Sequence, residues 1–558
     1  MVAQVAVTLL LALVLVIPTG HYLYRVFGGG PAPLDGLFRP IERLVFRLIG
    51  LNDPEENMSW KAWGTALLLS NAVMLLLAYV IFRVQGVLPW NPDGIKGMDP
   101  TLAFNTAISF MTNTNLQHYS GETGLSYFSQ MAAITFLMFT SAGAGFTVAV
   151  AFIRGLAGCG LGNYWADMTR LTLRVLLPAS LLVALVLVWQ GSPQTLAPAA
   201  QVTTLEGAAQ TIPLGPVASL ESIKHIGTNG GGFFGANAAH PFENPNPLTN
   251  LIHILGMLWL PTSLVYMFGL FIKNRKQSWI FFGAASLLFV MLLGSIFYFE
   301  AQGNPALHAA GLAGPSLEGK EVRFGMAQSA LFTTVTTAAT TGSVNNMHDS
   351  LTPMGGFTPL VLMMLNSVFG GKGVGFMNLV AMAMIAVFLV GLMVGRTPEF
   401  LAKKLETREI TLLAIVILLH PLIILAPTAV SLLTEAGRSA ISHPGFHGLS
   451  QALYEFTSSG ANNGSGFEGL GDNSVFWNAV TGVVMFLGRY PSMIALLAVS
   501  GLLAAKKPVP AGPGTLRTDT ALFGAVLVGV IIIVGALTFF PALALGPIAD
   551  HLTLMAGK

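Results

Sequence analysis

The chain has 558 residues, 53% hydrophobic and only 9% charged, with a mean hydropathy of +0.68 and a formal net charge of +2. Soluble domains carry roughly 25% charged residues, so this chain cannot cover itself with ions and a soluble globular fold is excluded. Its basic residues form no run and are not interleaved with aromatics, which excludes nucleic acid as a partner. The single cysteine, Cys159, allows no internal disulfide and reads as a small residue near a helix end.

Apolar runs predict the membrane spans in chain order. They include Val2–Ile17, Ala66–Phe82, Leu171–Val188, Trp279–Ile296, Leu379–Val394, Leu412–Leu433, Val475–Leu502 and Ala521–Phe540, which approach or exceed the ~20 residues that cross a bilayer. The first run has no basic segment before it and no small-residue cleavage site after it, so it is a retained helix. Between the spans, glycine- and asparagine-rich stretches recur: "FMTNTNLQHYSGE" at 110–122, "IGTNGGGFFGANAAHPFENPNP" at 226–247, "AATTGSVNNMHDS" at 338–350 and "TSSGANNGSGFEG" at 457–469. With Asn113, Thr228, Thr340 and Ala461 as markers, the period is about 115 residues. Each marker follows a moderately apolar dozen residues, such as 101–111 or 325–337, giving a unit of helix, half-helix, loop and helix. The expected organisation is an N-terminal extra helix with a loop (1–62), four pore repeats (63–160, 161–273, 274–404, 405–505) and a C-terminal extra helix (506–558).

Eighteen of the 27 basic residues fall in five segments. These hold Arg25 to Lys61, Arg154 to Arg174, Lys273 to Lys276, Arg396 to Arg408, and Lys506 to Arg517. The positive-inside bias makes those segments cytoplasmic and puts the glycine loops outside, together with Glu122, Glu243, Glu318, Glu468 and Asp472. A half-helix that enters from outside and stops mid-membrane points its carbonyl end inward, which favours a cation. Irregular backbone at that depth survives only where it lines a cavity. Glycine and asparagine tolerate the backbone angles that aim carbonyls one way. Four such loops make a ring of oxygens that can replace an ion's water shell, and potassium is favoured because smaller ions hold water more tightly. The first loop has no glycine before Gly121, so the ring is unequal and belongs to one chain.

The blocks "TNTN", "QHYSGET", "LSYFSQM", "GTNGGGFFGANAAHPFENPNPLTN", "MHDS", "GRTPEFLAKK" and "GVVMFLGRY" resemble the potassium-binding A subunit (KdpA) of the Kdp potassium-pumping P-type ATPases, over essentially the whole chain. The resemblance implies an all-α polytopic membrane protein of ten transmembrane helices, related to potassium channels and transporters, with both termini outside a bacterial or archaeal cytoplasmic membrane. It implies a filter of Thr112, Asn113, Thr114, Asn115 and Gln117; Gly227, Thr228, Asn229, Gly230, Gly231 and Gly232; Thr340, Thr341, Gly342 and Ser343; and Ala461, Asn462, Asn463 and Gly464. Potassium is the only ion implied, and no organic cofactor. The ion would pass sideways through an intramembrane tunnel to a P-type ATPase catalytic subunit (KdpB-like), with a single-span subunit (KdpC-like), a small accessory helix (KdpF-like) and membrane lipid as further partners. The chain has neither DKTGT nor GxxxxGK[ST], so it is not itself an enzyme. The alternative is a stand-alone potassium channel or ion-coupled symporter of the same superfamily. A membrane enzyme would need clustered His, Asp or Cys, and the sequence displays none.

Two basic residues sit within apolar sequence, where a bare charge is costly. Lys372, between Gly371 and Gly373 in "FGGKGVG", marks either a glycine kink or an intramembrane loop whose lysine blocks straight conduction. Arg489 either snorkels to the cytoplasmic surface or faces the pore, repelling ions below the filter or pairing with a partner's acid. Arg396 and Glu399 read as helix-end packing, and His240 with Glu243 as an outer loop bracing the filter. His118 and Glu122 are placed to shape a cation-concentrating mouth.

Overall fold

In a computed structural model of the chain, residues 2–312, 314–395, 397–510 and 516–556 are described. Arg396 and the side chain of Lys372 lie outside that description. The apolar runs become helices because a backbone facing lipid must satisfy its own hydrogen bonds. The elements are α1 (Val2–Phe27), α2 (Asp35–Leu48), α3 (Trp60–Val84), α4 (Pro100–Met111), α5 (Tyr127–Ala157), α6 (Tyr164–Trp189), α7 (Val217–Ile226) and α8 (Pro247–Phe271). There follow α9 (Arg275–Gln302), α10 (Gly325–Ala338), α11 (Pro353–Leu365), α12 (Val374–Met393), α13 (Thr407–Leu433), α14 (Gly445–Ala461), α15 (Val475–Ala504) and α16 (Ala521–Met555). Among the described residues, ten helices are long and apolar enough to cross a membrane, and the protein is an all-α, multi-pass membrane protein. The longest strands described form a short hairpin, Ala200–Thr203 paired antiparallel with Ala209–Ile212.

The helix pattern repeats four times: long helix, half-helix, loop, long helix. The half-helices α4, α7, α10 and α14 are buried along most of their length. Their starts follow local chemistry. Asp99 caps α4 through the N–H groups of Thr101 and Leu102, with Pro100 at the first turn. The long helices sort into two shells. The second helix of each unit buries 50–83% of its most apolar window, the first only 22–39%. The outer helices expose leucines, as α3 does with Leu69, Leu76 and Leu77, which suits a lipid contact.

The basic segments converge on one face. Arg174 holds Glu42 (2.5 Å) and Asp35 (2.5 Å), Arg170 pairs with Glu55, Lys403 donates to Leu156 O at 3.2 Å, and Lys506 bridges Glu406 and Glu409 at 2.8 Å each. The loops behind the half-helices meet at the other face, where Glu122 accepts from Gly235 N and Arg323 donates to the carbonyls of Ala239 and Asn244.

In the third unit the second long helix is broken. α11 stops at Leu365 and α12 begins at Val374, and Asn366, Phe369, Gly370 and Gly373 between them have positive φ. The interruption is a loop, not a kink.

Candidate ion-selectivity filter

Each half-helix ends in a loop with one backbone signature. Two left-handed residues flank one that is not: Asn113 (φ 63°) and Asn115 (59°), Thr228 (41°) and Gly230 (107°), Thr340 (41°) and Gly342 (93°), Asn462 (55°) and Gly464 (104°). The residue between them donates its N–H to a carbonyl in its own half-helix. Thr114 reaches Ser109 at 3.0 Å, Asn229 reaches Lys224 at 2.8 Å, Thr341 reaches Thr336 at 2.7 Å and Asn463 reaches Ser458 at 2.9 Å. Alternating handedness sends N–H groups to one side of a strand and carbonyls to the other. The helix satisfies the N–H side. The carbonyls of Thr114, Asn229, Thr341 and Asn463 accept no hydrogen bond among the described residues, although all four residues are fully buried. Orphaned buried carbonyls are uncommon. Four at equivalent positions have the chemistry to replace a cation's water shell. Buried hydroxyls of Thr228 and Thr341 also lack partners among the described residues.

The loops follow one another round a ring. A Cβ on Gly230 would lie 1.9 Å from Thr341 O, one on Gly342 2.1 Å from Asn463 O, and one on Gly464 1.9 Å from Thr114 O. Each glycine is required by its neighbour's carbonyl as well as by its own φ. The circuit closes through loops one and two. Asn113 Nδ2 donates to Thr228 O at 2.8 Å, and Gln117 exchanges two hydrogen bonds with Gly232, at 2.7 and 2.9 Å. Asn115 stands where the other loops have glycine, and its buried amide has no partner among the described residues. Thr112 caps α4 and bonds Thr114 hydroxyl to hydroxyl at 2.7 Å. Gly227 caps α7, and Gly231 packs on the Phe110 ring. Ala461 is the last residue of α14, so the fourth marker shifts by one residue to Asn462, whose amide donates to Thr114 Oγ1 at 2.9 Å.

Charged side chains brace the loops from behind. Lys224 Nζ, fully buried, donates to Glu221 Oε1 (2.8 Å) and Glu243 Oε2 (2.6 Å), while Glu243 Oε1 accepts from Phe234 N at 2.8 Å. A Cβ on Gly232 would sit 2.7 Å from that same Oε1. His225 Nε2 lies 2.9 Å from Ser343 Oγ, tying loop two's helix to loop three. His240 stacks on Phe234 with ring centroids 3.7 Å apart, which places it in the brace. At the mouth, His118 lies 2.7 Å from Asn478 Oδ1 and 3.1 Å from Glu455 Oε1, with Asp472 at 3.9 Å. Burial works to lower the His118 pKa, but the charge of Asp472 and the hydrogen bond that His118 donates to Glu455 outweigh it and hold it at about 9. Burial pushes Asp472 up to about 7 against the pull of His118.

The broken helix passes beneath loop three. Gly371 N donates to Thr340 Oγ1 at 2.6 Å, and a Cβ on Gly371 would lie 2.6 Å from Ala339 O. Gly373 abuts Gly145 and Ala149 of α5 just as closely. Arg489 is buried on α15 and does not snorkel. Its guanidinium donates to Ser141 O at 3.3 Å, and Ser141 Oγ donates in turn to Asn113 Oδ1 at 3.0 Å. Beside the break lies a cavity of about 50 Å³ whose polar lining includes Asn366, Asn378, His420 and Ser492.

Sequence reasoning missed Glu221 and Lys224, whose signal was a charged pair three apart in an apolar half-helix. It also found no clustered histidines and acids. Among the described residues the fold assembles three such groups, Glu221–His225–His253, His118–Glu455–Asp472 and Asp349–His443–His447, from positions up to hundreds of residues apart.

Residues 6–552 match the family described as Potassium-transporting ATPase A subunit. The potassium-transporting ATPase potassium-binding subunit of Geobacillus kaustophilus is 58% identical over 556 residues, 99% of each chain. The protein of that name from Caldanaerobacter subterraneus is 54% identical over 542 residues, 96% of each chain. With more than half of its residues shared along nearly its whole length, this chain belongs to the potassium-transporting ATPase A-subunit family.

Proposed function

We propose that this chain is the potassium-selecting, non-catalytic subunit of an ATP-driven potassium importer. The observation that carries the reading is the ring of four buried carbonyls at Thr114, Asn229, Thr341 and Asn463, which accept no hydrogen bond among the described residues. Potassium enters from the face where the acidic loops meet, sheds water and is held by filter oxygens from all four repeats (63–160, 161–273, 274–404 and 405–505). Two features argue for handing the ion on over a stand-alone channel. The loop at 366–373 underlies loop three, and Arg489 sets a guanidinium near the Ser141–Asn113 link. The ion therefore turns sideways, with the polar cavity beside the break a candidate for the start of its path, towards a P-type ATPase subunit that hydrolyses ATP. Single-span and small accessory subunits complete the assembly in the cytoplasmic membrane, with both termini of this chain outside.

The test is potassium-stimulated ATP hydrolysis by the assembled complex with Gly232→Ala, over potassium and rubidium series. The added methyl must displace Glu243 or Phe234 O, so the potassium needed for half-stimulation rises about tenfold or more and rubidium gains effect. An unchanged curve assigns selection to the ATPase partner.

A further inference from the structure

Asp349, His443 and His447 gather on the loop face, away from the filter. Their ligand atoms all lie within 4.8 Å of one another. They come from three places: the segment after filter loop three, the residues just before α14, and α14's first turn. His447 Nε2 sits 2.8 Å from Asp349 Oδ1, and its Nδ1 sits 3.1 Å from Asp550 Oδ2 on α16. Asp349 Oδ2 is fixed by Gln451 Nε2 and Gly469 N, each at 3.0 Å. The His443 and His447 rings meet edge-on, 76° apart with centroids at 4.9 Å.

We propose that Asp349, His443 and His447 bind a zinc-class divalent cation, with Asp550 orienting His447 from behind. Two imidazoles and a carboxylate, with a fourth position open to water, are a zinc ligand set. A carboxylate on the far nitrogen of a ligating histidine fixes its tautomer and aims the other nitrogen at the metal. Asp550 is placed to do this for His447. The steep ring angle lets both imidazole planes pass through one point, and small side-chain rotations bring the ligand atoms to the ~3.3 Å separation of a tetrahedral site with bonds of ~2.0–2.1 Å. Asp349 and Asp550 contribute two negative charges that the ion neutralises, and the proton that His447 shares with Asp349 leaves to solvent. His443 is exposed, so the site is open to water.

The other two groups lack this geometry. His225 and His253 stack 11° from parallel at 3.9 Å, so their lone pairs cannot converge on one ion. The third group offers a single imidazole, His118, beside the two carboxylates of Glu455 and Asp472, and so lacks the second nitrogen ligand. An ion at Asp349–His443–His447 would staple the outer end of filter loop three to the fourth half-helix and, through Asp550, to the last span.

The test is equilibrium dialysis of the full-length chain in detergent against buffered zinc chloride, with metal counted per chain and thermal stability followed in parallel. One zinc per chain is expected, raising the thermal midpoint, with no displacement by magnesium or calcium, which prefer all-oxygen sites. His443→Ala, an exposed position that leaves the fold intact, abolishes the stabilisation. Asp550→Asn weakens zinc binding by about 10- to 100-fold. Cobalt in place of zinc gives the strong visible bands of a tetrahedral site in the native chain alone. Absence of saturable zinc binding, or unchanged zinc affinity in His443→Ala, overturns the assignment.

Discussion

Gly464 and Gly466 are two residues apart and play different parts. Gly464 has a φ of 104° and meets the Thr114 carbonyl at 1.9 Å from its would-be Cβ, whereas the nearest atom to a Cβ on Gly466 is Glu455 Oε2 at 3.5 Å. Gly464→Ala therefore raises the potassium needed to half-stimulate the ATPase by about tenfold or more, and Gly466→Ala leaves it unchanged. Equal effects from the two would show that the loop is merely intolerant of bulk. The mouth makes a second prediction at this scale. As pH falls, His118 gains a proton near 9 and Asp472 near 7, so the cluster becomes one charge more positive at each step. Cation capture weakens accordingly, and apparent potassium affinity declines in two steps between about pH 10 and pH 6. Asp472→Asn removes the lower step. A flat profile would take the cluster out of ion capture.

At the scale of elements, the half-helix α7 is held by the Glu221–Lys224–Glu243 network. Lys224→Met leaves two buried carboxylates facing each other and costs about 3–5 kcal/mol. Thermal unfolding followed by tryptophan fluorescence is expected to show that loss, and adding Glu243→Gln recovers part of it. Strict additivity of the two changes would mean the charges do not act as a unit. This network also shows where the sequence ceases to be legible. Spans, half-helices and loops could be read from it because apolar runs, glycine pairs and a period near 115 residues are local signals. The half-helix expected at 101–111 is Pro100–Met111, and the one at 325–337 is Gly325–Ala338. The partners of Lys224 could not be read so easily, since Glu243 lies across a loop and neither charge alone says which way it faces. Nor could the order of loops around the ring, which shows only in the contact of each glycine with the next loop's carbonyl. The fourth marker falls one residue early because Ala461 still ends the helix and the left-handed angle belongs to Asn462, a backbone difference that residue type does not state.

For the whole molecule, the proposed orientation places the basic segments inside the cell and is testable at one residue. Cys159 is the sole cysteine, exposed in the segment that carries Arg154 and Arg170. A membrane-impermeant thiol reagent is expected to label it in inverted vesicles and to spare it in intact cells. The opposite pattern would reverse the topology and put the glycine loops in the cytoplasm.

Because the four loops of the ring belong to one polypeptide, a single codon alters one quarter of the ion's surroundings. A pore assembled from four identical chains would suffer every change fourfold. Asn115, standing where its three counterparts are Gly230, Gly342 and Gly464, shows the consequence. On the proposed reading of these loops as the filter, one substitution changes the ion's coordination on one side only, a smaller step than a symmetric assembly can take.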